Sequence, residues 1–255
     1  MSEGLRVQNL VVRYGGHTAV DGVSIHAPAG RLTALIGPNG AGKTTIFNAC
    51  SGLLTPAAGT VGLFGDDVTN EAAPRRARHG LGRTFQRMQL FDSLSVADNV
   101  GLAVEAALAG ANPLRHLLPR ASDAATVREA VHSALDDCRI SHLDDALVGS
   151  LSTGQRRVVE LARVLAGPFR LLLLDEPSSG LDPAESKQFG DLLRRVVDER
   201  GVGVLLVEHD MNLVLEVSDW IWVLDFGRLI AGGDPSTIRE SPAVRAAYLG
   251  QEVGA

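Results

Sequence analysis

At 255 residues with 45% hydrophobic side chains, the chain is long enough for one large folded domain with a substantial core. Its net charge of −6 argues against broad electrostatic attraction to nucleic acid. Residues Met1 to Leu10 carry no signal-peptide pattern, and the longest apolar runs, such as Val202 to Val207, fall far short of the ~18 residues a bilayer requires, so any membrane role is expected to be peripheral. Cys50 and Cys138 form no metal-ligand pattern and read as small apolar or incidental residues of a reducing compartment.

Leu5 to Val12 predicts a first strand ending at Tyr14-Gly15-Gly16, and Ala19 to Ile25 a second. Pro28-Ala29-Gly30 is a turn before Arg31 to Ile36, a short apolar run that reads as a buried strand. It leads into Gly37, Pro38, Asn39, Gly40, Ala41, Gly42, Lys43, Thr44 and Thr45, which fit G-x-x-x-x-G-K-[ST]. A triphosphate concentrates negative charge in a small volume, so the backbone must wrap it closely with N–H groups facing inward, and side chains at the glycine positions would keep the phosphates out. A helix starting near Gly42 adds the positive end of its dipole, Lys43 reaches the terminal phosphates, and the Thr44 hydroxyl can ligate Mg²⁺. With Lys43 and Lys187 the only lysines, a chance match to this pattern is rare.

Thr60 to Phe64 adds another strand, so the early strands are expected to form an antiparallel layer. From Ser95 to about Leu165 the pattern turns helical: Val96, Val100 and Val104 recur at helical spacing, as do Val127, Val131 and Leu135. Between them, 109 to 125 with Pro113 and Pro119 reads as a loop or loosely helical insertion. Leu151-Ser152-Thr153-Gly154-Gln155 opens a helix with a capping box, and the same capped start is also an anion site. After Gly167-Pro168, strand and helix alternate through Leu171 to Leu174, Pro183 to Val197, Val202 to Val207 and Met211 to Val217, the signature of a parallel sheet. Ile221 to Leu224 and Leu229 to Ala231 flank Asp225-Phe226-Gly227 as a hairpin. Asp175 and Glu176 end an apolar strand, where open α/β sheets present ligands: Asp175 can hold Mg²⁺ through water, and Glu176 can accept a proton from an attacking water.

Tyr14, the loop 37 to 45, Gln86, the 151 to 155 segment, LLLLDE at 171 to 176, Ser179-Gly180-Leu181-Asp182 and His209 follow the order and spacing of the ATP-binding cassette ATPases, and the chain resembles that family over its whole length. The resemblance implies an α/β fold: a P-loop NTPase, RecA-like core with a parallel sheet and an antiparallel β layer (about 1 to 90 and 166 to 255), and an inserted helical subdomain (about 91 to 165). It implies ATP and Mg²⁺ as ligands, with Tyr14 stacking on adenine, Gln86 reaching the metal and coupling the nucleotide to a membrane subunit, Glu176 as catalytic base, and His209 contacting the γ-phosphate. Ser152, Thr153, Gly154 and Gln155 would close on ATP held by a second cassette in a head-to-tail dimer, with Asp182 relaying between subunits. The usual signature is LSGGQ, so Thr153 departs from it.

Each of these residues also has a plain reading: Tyr14 as a turn aromatic, Gln86 as a solvated polar group, His209 as a helix cap or buried imidazole, and Asp182, with Pro183 and Glu185, as a helix cap. Gly82-Arg83-Thr84-Phe85-Gln86, the run 94 to 100 and the ending Ala247-Tyr248-Leu249-Gly250 are similar to the cassettes of branched-chain amino acid importers; those of urea and lipopolysaccharide transporters share parts of the pattern, and soluble non-transport cassette ATPases share the fold. The importer resemblance implies integral-membrane permease partners, an extracytoplasmic solute-binding protein, no nucleic acid, and a place on the cytoplasmic face of the membrane.

Overall fold

The structure, a computed structural model, describes residues 3–84, 88–110 and 121–249. They fall into two compact units, one of 1–83, 170–176 and 193–255 and the other of 84–169 and 177–192.

In the first unit, β1 (Gly4–Tyr14), β2 (His17–Pro28), β4 (Ala58–Leu63) and β5 (Asp66–Asp67) form an antiparallel sheet in the order β2-β1-β4-β5. Along β1 the inward residues are Leu5 and Val7, then Leu10 and Val12, so the period of two slips by one residue. A bulge absorbs the slip: the register shifts between Val7 and Leu10 against β2 and between Gln8 and Val11 against β4, and Asn9 takes a left-handed φ of 49°. Its N–H donates to Ser24 Oγ at 2.8 Å.

The second sheet runs β10-β9-β3-β8-β7-β6, with β6 (Leu81–Arg83), β7 (Leu171–Asp175), β8 (Gly203–Val207), β3 (Leu32–Ile36) and β9 (Trp220–Asp225) parallel. β10 (Arg228–Gly233) adds antiparallel to β9 across the Phe226-Gly227 turn. Every residue of β3, β7 and β8 is buried, as expected where both faces of a parallel sheet are covered. Leu35, Leu171, Leu173 and Leu205 pack in one core with β1, β2 and the helix α1 (Lys43–Ser51), whereas Ala34, Ile36, Ile221 and Val223 pack in another with Val214, Ile238 and Val244. The last three lie on α7 (Met211–Val217), α8 (Pro235–Glu240) and α9 (Pro242–Leu249).

The far end of α1 is held by an unusual group. Arg76, on α2 (Ala73–Arg78), is 1% exposed, and its guanidinium donates to the carbonyls of Ala49 (2.6 Å), Cys50 (2.8 Å), Glu71 (2.9 Å) and Thr69 (3.0 Å). Two orphan carbonyls of the helix end, those of Ala49 and Cys50, are thereby satisfied.

The second unit is helical. It contains α3 (Val96–Ala109), α4 (Ala121–Asp137) and α5 (Thr153–Leu165). The helix α6 (Pro183–Arg200) is shared between the units, the division falling after Leu192. Ser95 caps α3 by accepting from the Asp98 N–H, and the buried Asn99 amide clamps the preceding turn, donating to Phe91 O (3.0 Å) and Ser95 O (2.9 Å) and accepting from the Phe91 N–H (2.8 Å). α4 begins at Ala121, inside the stretch expected to be a loop or loosely helical, because Ala121, Ala124 and Ala125 favour helix once Pro119 is passed.

Replacing Arg76 with Met would leave buried carbonyls unpaired. The expected loss is roughly 3 kcal/mol of unfolding free energy by urea titration; a loss below ~1 kcal/mol would contradict the clamp.

Candidate functional site

Three parallel strands end at one edge of the second sheet. Leu35 pairs with Val207, and Val207 with Asp175, so the segments leaving β3, β8 and β7 start side by side. Those segments are the loop 37 to 42, Glu208-His209 and Glu176. Topology alone thus gathers the phosphate-loop lysine and three carboxylates, at the carboxyl ends of the strands where such sheets take ligands.

The loop's path is enforced sterically. A Cβ on Gly37 would lie 2.0 Å from the Leu224 carbonyl oxygen, and one on Gly42, at φ 104°, would lie 2.8 Å from the Ala19 oxygen. Gly40 also takes a left-handed φ, 80°. Gly42 is the N-cap of α1, so the start of that helix meets the loop. Lys43 is 7% exposed, and its Nζ donates to Gly37 O (2.6 Å) and Pro38 O (3.0 Å), folded back across the loop. Burial pulls its pKa down, while Glu176 and Asp175 pull it up. Pro38, Asn39, Gly40 and Ala41 line a small cavity with Asp225, Phe226 and two residues of α9, Ala246 and Ala247. Thr44 lies exposed, and Thr45 half-buried, in the first turn of α1.

Asp175 is 5% exposed; burial raises its pKa and the Arg83 guanidinium lowers it, with Glu176 and Glu208 adding to the rise. Glu176 follows in the left-handed region at φ 47°, its N–H donating to Val207 O at 2.8 Å. A non-glycine residue held there stores strain, a common mark of reactive positions. Glu208, fully buried, accepts from the His209 N–H at 3.1 Å and stands 3.7 Å from its Nδ1. The His209 ring is exposed beside it. Tyr14 ends β1 with half its surface exposed, a geometry open to stacking. Gln86 lies outside the described residues.

In the second unit, Ser152 caps α5. Its Oγ accepts from the Gln155 N–H (3.2 Å), and Gln155 Oε1 accepts from the Ser152 N–H (3.0 Å). By helix geometry the N–H groups of Thr153 and Gly154 then project from the start with no intrahelical acceptor. A second capping pair stands beside the first: Asp182 Oδ1 accepts from the Glu185 N–H (2.8 Å) and Glu185 Oε2 from the Asp182 N–H (3.1 Å). A Cβ on Gly154 would lie 2.9 Å from Glu185 Oε1, and Arg157 donates to Ser179 O at 3.1 Å, so both segments of the resemblance adjoin within this unit. Farther along α5, Glu160 accepts from the Gln89 N–H (3.2 Å), Arg163 donates to the Gln89 carbonyl, and Arg156 pairs with Asp92 (3.3 Å), which ties the segment just after Gln86 to the helix bearing Ser152 to Gln155.

Sequence reasoning assigned no role to Glu208, which repeats the pattern of an apolar strand ending in a carboxylate, nor to Arg83, which was read only as part of a run. Among the described residues no group of three or more His, Cys, Asp or Glu side chains could hold a metal by itself. A hard cation that shares its shell with phosphate oxygens needs fewer protein donors, and a hydroxyl with one carboxylate, Thr44 and Asp175, fits that requirement.

Comparison with known proteins agrees with this chemistry. The family described as ABC transporter matches residues 20–179, more than half of the chain. This chain belongs to the ABC transporter family. It is a nucleotide-binding, ATP-hydrolysing subunit of such a system, built on the P-loop NTPase fold. A second family, described as Branched-chain amino acid ATP-binding cassette transporter, matches 228–254. BraF of Pseudomonas aeruginosa, a high-affinity branched-chain amino acid transport ATP-binding protein, is 37% identical over 250 residues, covering 97% of this chain and 98% of BraF. LivG of Escherichia coli, which bears the same description, is 36% identical over 254 residues with the same coverage. The ADP conformation of the cassette MJ1267 superposes with a TM-score of 0.85 at 31% identity, covering 98% of this chain and all of that one.

Gly37→Ala is expected to weaken nucleotide affinity at least tenfold, about 1.4 kcal/mol, in a fluorescent-nucleotide titration. Affinity matching the unmodified cassette would show that the Leu224 carbonyl yields and that the loop's path is not fixed by it.

Proposed function

We propose that this chain powers uptake of branched-chain or related amino acids, as one of two cassettes that bind ATP head to tail beneath a pair of membrane permease subunits. The supporting observation for the solute class is the match of 228–254 to the branched-chain cassettes, added to near full-length similarity to BraF and LivG. A solute-binding protein outside the membrane would deliver the amino acid, and the cassette would sit on the cytoplasmic face. Among the described residues no helix is long and apolar enough to cross a membrane; in this reading the permease supplies the path for the solute.

In this reading Tyr14 stacks on adenine, the N–H groups of 37 to 45 and Lys43 hold the phosphates, and Lys43 moves from the Gly37 and Pro38 carbonyls onto the β- and γ-phosphates. Thr44, Gln86 and, through water, Asp175 would hold Mg²⁺, and the ion would neutralise charge on the phosphates and leaving group. The N–H groups at the start of α5 in the second copy, together with Ser152, close over the γ-phosphate, and Asp182 carries the state of one site to the other. Thr153, in place of the family's usual glycine, adds a side chain at that lid. The segment after Gln86, gripped by Glu160 and Arg163, receives a short helix of the permease.

Hydrolysis then follows from the carboxylate. Glu176 accepts a proton from water as that oxygen forms its bond to the γ-phosphorus, and the bond from the γ-phosphorus to the β–γ bridging oxygen breaks, leaving ADP and phosphate. His209 donates a hydrogen bond to the γ-phosphate from an exposed ring whose Nδ1 stands 3.7 Å from the buried Glu208 carboxylate.

Glu176→Gln is expected to lower ATP turnover by ~10²-fold or more while leaving ATP bound, read by phosphate release alongside nucleotide retention on the assembled transporter. Turnover at the unmodified rate would remove Glu176 from the role of base.

A further inference from the structure

Arg83 ends the three-residue strand β6 and carries a guanidinium that is almost wholly buried, 12% exposed. One of its nitrogens, NH2, stands 3.5 Å from Asp175 Oδ2. The other, NH1, donates to Asn48 Oδ1 at 2.9 Å and to Ser51 Oγ at 2.5 Å, both on the later turns of α1. Its plane approaches the Phe47 ring at 5.6 Å, so the aromatic face supports the fork. One side chain from a third element therefore touches both elements that carry oxygen donors for a cation: α1, whose first turn carries Thr44, and β7, which ends in Asp175.

We infer that Arg83 is a positioning residue that fixes the separation of the Thr44 hydroxyl and the Asp175 carboxylate, and so sets how tightly Mg²⁺ joins the bound nucleotide. The inference rests on the proposed part of Thr44 and Asp175 in holding that ion. α1 is a single short helix, and its C-terminal end is pinned through Asn48 and Ser51; a rigid helix pinned at one end presents its other end, with Thr44, at a set place. The planar fork is what allows two nitrogens to serve two elements at once. A lysine ammonium, a point charge on a flexible stem, keeps the charge but cannot hold both sides in one geometry. Groups that orient a metal's ligands without touching the metal commonly change affinity by about 10–100-fold when removed.

The test uses the full chain and a fluorescent ATP analogue, titrated first in EDTA and then at increasing Mg²⁺, with thermal unfolding followed in parallel. Arg83→Gln is expected to raise the Mg²⁺ concentration at half-effect by ~10-fold or more while affinity in EDTA stays within about twofold. Arg83→Lys is expected to recover only part of that loss. The pair Asn48→Ala with Ser51→Ala leaves Arg83 in place but removes its anchors, and is expected to shift the Mg²⁺ dependence the same way even if Arg83→Gln does not fold. An unchanged Mg²⁺ dependence in these variants, or an equal loss in EDTA, overturns the inference. Asp175→Asn separates the two levels: if it too leaves the Mg²⁺ dependence unchanged, the reading of Asp175 falls, whereas a shift there with none at Arg83 removes only the positioning role.

Discussion

The fold is organised by the need to bring backbone N–H groups against concentrated negative charge. That need cannot be met by side chains alone, because only bare backbone lets several donors converge within hydrogen-bond range of one anion. Here the loop from Gly37 to Gly42 is threaded between the Leu224 and Ala19 carbonyls with no room for a Cβ at either glycine. The strand before it is fully buried, and the helix after it is locked at its far end by Arg76. Rigidity on both sides is what turns a glycine-rich loop, otherwise free to collapse, into a preformed cradle.

The acidic side of the site follows from sheet order. Placing β8 beside β3, and β7 beside β8, delivers Asp175, Glu176 and Glu208 to the neighbourhood of Lys43. Three carboxylates so close repel one another, and the cost is offset by neighbouring groups: Arg83 beside Asp175, the His209 N–H on Glu208, and Lys43 itself. The second unit shows the same economy of charge on α5, where Arg157 and Glu160 form a buried pair at 3.2 Å. Burial raises the Glu160 pKa, and its partners on Gln89, Arg157 and Arg163 counter the rise. Contacts of Glu160 and Arg163 with Gln89, and of Arg156 with Asp92, join this helix to the segment following Gln86.

Much of this was legible in the chain. The buried strands before the loop and before Asp175 announce themselves as unbroken apolar runs, and the Ser152 and Gln155 pair spells out its own cap, since both partners lie within one turn. Local rules suffice where the partners are local. β6 was missed because three residues carry no periodicity; it is a strand only because β7 lies alongside to pair with it. The partners of Arg83 come from 32 and 35 positions earlier and from β7, distances over which one sequence gives no signal. For 109 to 125 two prolines leave loop and loose helix both open in the sequence, and the helix is regular from Ala121. Glu208 was in view, next to His209, yet its burial is a property of the sheet and not of its neighbours in the chain.

In the proposed arrangement the cradle in one copy and the capped helix start in another share one ATP. The most direct measurement is a structure of the assembled transporter carrying Glu176→Gln with ATP bound. The account predicts the N–H groups at the start of α5, with Ser152, within about 3 Å of a γ-phosphate whose other oxygens are held by the opposite cassette's loop. A structure with ATP in the loop 37 to 45 and Ser152 to Gln155 of the opposite cassette turned away from it would contradict the claim.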